Sequence, residues 1–177
     1  MATEPNYREL CNLIDIDSYI DYYASMIYVS RCEDWPGTNE ALWKTRKKGK
    51  GKYEDSKWRW MLFDVNFGAM DIANAEFDII EYLLNISPMF SNLFSNQEFR
   101  NKLLYRIEEL SDTVFAYNNV QDKINDFRQL MDEPMLYSNK RFYGDDSYDK
   151  YTSHIEDVSN FFEHRGDYVT KMVEKYR

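Results

Sequence analysis

The chain has 177 residues, 44% of them hydrophobic, and a net charge of −9. That is enough for one domain with a real core and too few for two ordinary ones. The hydrophobic fraction excludes a disordered chain, and the acidic balance argues against general nucleic-acid binding.

Cys11 and Cys32 are the only cysteines. Two cannot make a disulfide framework or a zinc site, and they read as free thiols. No apolar run approaches the roughly 20 residues of a membrane span, and the first ten residues lack the apolar core of a signal peptide. Fifteen tyrosines predict wet, half-buried surfaces, because Tyr packs its ring and solvates its hydroxyl.

Residues 1–14 read as a short lead-in. A helix capped by Asp15 or Asp17 follows, with Ile20, Tyr23, Ala24, Ile27 and Tyr28 on its apolar face. Pro36 and Gly37 make residues 30–39 a loop. Residues 40–44 suit a short strand. Residues 44–56 suit a hairpin tip, with Gly49 and Gly51. Residues 57–64 (KWRWMLFD) form the best strand, ended by a turn at Gly68.

The remainder reads as helix. A first helix covers 75–84, with Phe77, Ile80 and Leu84 on one face, and Pro88 interrupts it. A second covers 96–115, with the stripe Phe99, Leu103, Ile107, Leu110 and Val114. A third covers 120–131, with Val120, Ile124, Phe127, Leu130 and Met131. A fourth covers 148–162, with Tyr151, Ile155, Val158 and Phe162. Gly166 is expected to break the chain before a last helix over 168–176. The Met and aromatic stripes read as core. The sum is an α+β fold, mostly α-helical, with one β-hairpin.

Two polar clusters flank that hairpin. In the first, Asp34 precedes Asn39 by five residues; in the second, Asp64 and Asn66 end the aromatic strand. Phosphoryl transfer needs a carboxylate to accept the proton of the attacking hydroxyl and oxygen ligands for a Mg²⁺. Protein kinases supply both from one loop as Asp and then Asn five residues later, with a further Asp before a glycine turn. Taken alone, each cluster has an ordinary reading as Asp and Asn turn formers. An EF-hand counted from Asp64 fails, since Ala69 and Ala75 stand where it needs glycine and glutamate.

Together the motifs resemble the CotH-type family of atypical protein kinases, the spore coat proteins. Residues 14–23 (IDIDSYIDYY) resemble its D-x-D-x-F-I-D-Y helix start, residues 34–39 (DWPGTN) its N-x-D-W-x-x-N-N loop, and residues 58–68 (WRWMLFDVNFG) its W-x-hydrophobic-D-x-D-x-G strand and turn. Residues 90–99 and the F-x-x-R-x-x-x-V pattern within 161–173 are similar at lower specificity. The likeness covers most of the chain.

The resemblance implies a protein-kinase-like C-lobe whose hairpin carries the active-site loop. It implies ATP- and Mg²⁺-dependent phosphorylation of Ser/Thr hydroxyls on a coat or surface protein, and a spore-coat or extracellular setting. Asp34 would be the catalytic carboxylate. Asn39 and Asp64 would hold the metal and nucleotide, with Asn66 beside them. Two positions depart from the pattern: Cys32 stands for the family's loop Asn, and Asn66 for the second acid of D-x-D. A neutral amide lacks the charge that draws Mg²⁺.

No Gly-rich loop or phosphate-pairing strand Lys precedes Asp34, so an N-lobe is expected to pack on this chain from elsewhere, and the chain alone is expected to be inactive. The rival from another class is a pseudokinase-type scaffold or binding module. A metal-dependent hydrolase ranks last, for want of a nucleophile. Four further features have ordinary readings. The basic run from Lys44 to Lys52 is a solvated tip, or else a patch for phosphates. His154 and His164 lack metal spacing, and the 85–87 sequon is followed by Pro88.

Overall fold

The structure, a computed structural model, describes residues 4–32, 34–69, 72–144 and 147–177. The fold is α+β and mostly helical, with one two-stranded antiparallel sheet. No helix among the described residues is long and apolar enough to cross a membrane.

The lead-in is itself a helix. α1 (Glu4–Leu13) buries Tyr7 against the core. Its isolated polar start hid this from sequence, because the burial comes from tertiary packing. α2 (Ile16–Tyr28) is the central element. Asp15 caps it, its carboxylate accepting from the Ser18 amide at 3.3 Å. α2 buries eight of its residues, from Tyr19 to Tyr28. Tyr19 and Tyr23 stack at 4.1 Å, and Tyr23 also meets Trp35 and Phe90. The tyrosines are therefore divided. Tyr7, Tyr19, Tyr22, Tyr23 and Tyr28 are core, whereas Tyr105, Tyr137 and Tyr143 are exposed. The expected half-buried, wet setting holds for tyrosines such as Tyr82, Tyr151 and Tyr176, whereas ring stacking favours full burial of those on α2.

β1 (Ala41–Trp43) pairs with β2 (Arg59–Met61), Leu42 opposite Trp60. The sheet is anchored to the start of α2 through β2 and the residue before it. Trp58 bridges Ile14, the Trp60 amide donates to Ser18 Oγ at 3.2 Å, and Arg59 pairs with Asp15 at 2.8 Å and Asp55 at 2.7 Å.

α3 (Ile72–Ala75) ends where the first post-hairpin helix was expected to begin. The real start of α4 (Ile79–Ile86) is set by Asp78, which accepts from the Glu81 amide. Phe77 falls in the gap and is 42% exposed. Ser87 caps α5 (Pro88–Phe94), with Pro88 in its first turn, so the expected interruption at Pro88 is present. Asn96 caps α6 (Gln97–Asp112), which buries Phe99, Leu103, Ile107 and Leu110. Val114 lies beyond the helix end and is exposed.

α7 (Tyr117–Phe142) runs through Pro134, well past Met131. Phe127, Leu130 and Met131 are exposed on it, which corrects their reading as core. Period alone marks a helix but not which face finds a partner; here α7 packs along α8 and leaves that stripe open. α8 (Ser147–Tyr176) is continuous through Gly166. A lone glycine costs a helix about 1 kcal/mol, and the burial of Phe161, Arg165, Val169 and Val173 around it outweighs that.

Candidate functional site

The residues 34–39 loop is nailed to the core by Trp35, which is 1% exposed and donates its indole N–H to the Tyr22 hydroxyl at 2.9 Å. The Trp35–Pro36 peptide is cis. Burial pushes the Tyr22 hydroxyl up to about 12. The Thr38 amide and hydroxyl both donate to the Asp34 carbonyl, and Asn39 closes the turn in the left-handed region, φ 52°, a conformation Asn tolerates.

Both oxygens of Asp34 are engaged. Oδ1 lies 2.5 Å from Nη2 of Arg31. Oδ2 accepts from Nδ2 of Asn39 at 2.5 Å. With its amide nitrogen turned to Asp34, Asn39 presents its carbonyl oxygen on the other side. Arg31 is wholly buried. Its guanidinium also sits 5.0 Å from the centre of the Phe67 ring, in cation–π range.

The second cluster follows β2. Asp64 is exposed, in the left-handed region at φ 51°. The turn closes with the Gly68 amide donating to Val65 O at 2.9 Å, and the Ala69 amide donating to Val29 O at 2.7 Å. A Cβ on Gly68 would meet that same Val29 oxygen at 2.9 Å. Only glycine permits this approach, which docks the turn two residues from Arg31.

The two clusters therefore share one end of the hairpin. Asn39 lies two residues before β1, and Asp64 three residues after β2, at the end where Ala41 pairs with Met61. Arg31 touches Asp34 on one side and Phe67 on the other. The basic run is at the opposite end. Its Gly49 and Gly51 turn is closed by Glu54, Lys44 lies over Trp58, and the tip is exposed.

The donors on offer suit a hard cation only in company. Asp64 supplies one carboxylate, Asn39 and Asn66 amide oxygens, and no group of three or more His, Cys, Asp or Glu among the described residues could hold a metal. Mg²⁺ binds through one or two carboxylates when substrate phosphates complete its shell, and the donor set fits that case. Cys11 and Cys32 are not joined in a disulfide. His154 and His164 are exposed, His164 bonding Asn160 O within its own helix.

Arg31 was invisible as a site residue in the sequence. Its one signal was a lone cation three residues before Asp34, and its burial depends on the distant Phe67 turn.

A family model described as CotH kinase protein matches residues 2–169. No curated protein and no solved structure matches the chain.

Proposed function

Since the chain belongs to the CotH kinase protein family, we propose that it is the C-lobe portion of an atypical protein kinase, one that passes the γ-phosphoryl group of ATP to Ser/Thr hydroxyls of a coat or surface protein. The observation that supports this is that the two polar clusters flank the same end of the hairpin, with Arg31 in contact with Asp34 of one and with Phe67 of the turn that follows the other.

In this reading Asp34 is the proton acceptor for the attacking hydroxyl. Asn39, through the side-chain oxygen that faces away from Asp34, and Asp64, through its exposed carboxylate, hold Mg²⁺ with the ATP phosphates, and Asn66 adds a neutral donor. A bound Mg²⁺ would supply neutralisation of phosphate charge. The chain's own part is to fix the acceptor and the ligands.

A nucleotide-holding lobe would pack on the hairpin. Support for this is the exposure of Trp58, Met61, Leu62, Phe63, Val65 and Phe67 in one short stretch, more apolar surface than an isolated hairpin normally shows to water. Without that lobe the chain does not transfer phosphate.

One observation favours the alternative, a pseudokinase-type scaffold that docks a coat or surface protein. Both Asp34 oxygens are committed within the protein, and the second turn position is Asn66. Neither reading uses nucleic acid. Titration with millimolar ATP, with and without Mg²⁺, separates the two. The kinase reading expects Mg²⁺-dependent binding that Asp64→Ala abolishes. ATP binding that is equal in the variant overturns the metal assignment, and no ATP binding favours the scaffold. Phosphate transfer by the chain alone would overturn the need for a second lobe.

A further inference from the structure

We infer that Arg31 is a positioning residue, which sets the direction in which Asn39 offers its metal-binding oxygen. The inference rests on the reading of the site given above.

Arg31 follows the end of α2, and its side chain is wholly buried. A buried guanidinium needs an anion, because an uncompensated charge in the interior costs several kcal/mol. Among the described residues that anion is Asp34, whose Oδ1 lies 2.5 Å from Nη2. The Nη2–Oδ1 contact is an ion pair by distance, without the alignment of a hydrogen bond; no guanidinium nitrogen of Arg31 has a hydrogen-bond acceptor among the described residues, and the Phe67 ring lies over the group. Arg31 is thus held by one carboxylate and one aromatic face, and it holds them in return.

The consequence passes through Asp34. With Oδ1 fixed by Arg31, Oδ2 is aimed at Asn39 and accepts its Nδ2 at 2.5 Å. An amide that gives its N–H₂ to one neighbour must present its oxygen away from it. Arg31 therefore selects, at one remove, the orientation of Asn39 in which Oδ1 is free for a cation. The Phe67 contact ties the same guanidinium to the turn that follows Asp64. Partners behind the ligands typically change metal affinity ten- to a hundredfold when removed.

The test uses the whole chain, with ATP and Mg²⁺ as probes. Isothermal titration gives the Mg²⁺ affinity of the ATP-bound protein, and NMR follows the side-chain amide signals of Asn39. Arg31→Met should weaken Mg²⁺ about ten- to a hundredfold and move the Asn39 signals to positions typical of a solvated amide. Arg31→Lys keeps the charge but loses the planar fork, and should fall between.

The double variant Arg31→Met, Asp34→Asn removes both charges of the pair, buried Arg31 and partly exposed Asp34, so it should regain melting temperature lost by Arg31→Met without regaining Mg²⁺ affinity. A purely structural arginine would let both recover together, which would overturn the inference. So would wild-type Mg²⁺ affinity with unmoved Asn39 signals in a folded Arg31→Met or Arg31→Lys. If wild-type protein shows no Mg²⁺-dependent ATP binding, the reading of the site fails first, and the inference with it.

Discussion

Arg165, in the last helix, donates from Nε to the carbonyl of Tyr28 at 2.8 Å, across 137 residues of sequence. The same guanidinium reaches Ile27 O at 2.7 Å, Ala75 O at 2.5 Å and Phe77 O at 3.1 Å. One side chain thus closes the end of α2 and the end of α3, just before the Arg31–Asp34 loop and just after the Asp64 turn. Burial lowers its pKa to about 10, so it stays charged at neutral pH.

Arg165→Met is expected to destabilise the chain by about 3–5 kcal/mol, since it strands several buried carbonyl oxygens at about 1–3 kcal/mol each, partly relieved by relaxation. Chemical denaturation measures this. A loss below about 1 kcal/mol would mean that water replaces the guanidinium and that it does not organise the loop.

Gly166, one position on, behaves differently. It lies inside α8, and a Cβ there would meet Ser111 Oγ at 3.6 Å, ordinary contact. Gly166→Ala should therefore stabilise the chain by about 0.5–1 kcal/mol. Destabilisation in the same denaturation measurement would show that α8 needs a bend at this point.

The turn side of the hairpin should respond to acid. Asp55 accepts from both terminal guanidinium nitrogens of Arg59, Nη1 and Nη2, at 2.9 and 2.7 Å. This charge-assisted pairing holds its carboxyl well below the usual 3.8. A depressed carboxyl pKa stabilises above the unfolded value and loses that contribution as pH falls through the folded one. Wild type should exceed Asp55→Asn in stability at pH 7 by a small margin, and the gap should close below about pH 4. Tryptophan fluorescence across an acid titration follows it; a gap that is constant with pH would refute the pairing.

The tyrosine core sets the alkaline limit. Burial raises the hydroxyl pKa of Tyr19, Tyr23 and Tyr28, and that of Tyr22 to about 12. Raised values mean stability that is complete below pH 10 and lost as pH climbs through the folded pKa. Absorbance at 295 nm should show exposed tyrosines ionising near pH 10 and a later, cooperative group accompanied by unfolding. A single ionisation step near pH 10 would show that the core tyrosines are open to solvent.

Much of this arrangement was legible in local sequence. Asp15, one of two caps the sequence offered, marks the start of α2, Pro88 marks the break after α4, and the strand runs around Gly49 and Gly51 mark the hairpin, because caps, proline and turn chemistry act over a few residues; α5, which starts at Pro88, was not foreseen. What escaped depends on partners far away in sequence. The stripe at Phe127, Leu130 and Met131 stays largely exposed, and no local rule tells a covered helix face from a bare one. Gly166 continues a helix because neighbours on both sides are packed. Asp34, Asn39 and Asp64 became candidates through their spacing together with the family resemblance, but the clamp on Asp34 could not be read from either. It exists only because Phe67 and the end of α2 bury Arg31.

The central claim is that the residues 34–39 loop and the Asp64 turn serve one cation. Mn²⁺, added substoichiometrically to ATP-saturated protein, reports this through paramagnetic broadening of NMR signals. The claim predicts simultaneous broadening at Asn39 and at Asp64, both abolished by Asp64→Ala. Broadening of one cluster without the other, or broadening at Asn39 that persists in Asp64→Ala, would contradict it.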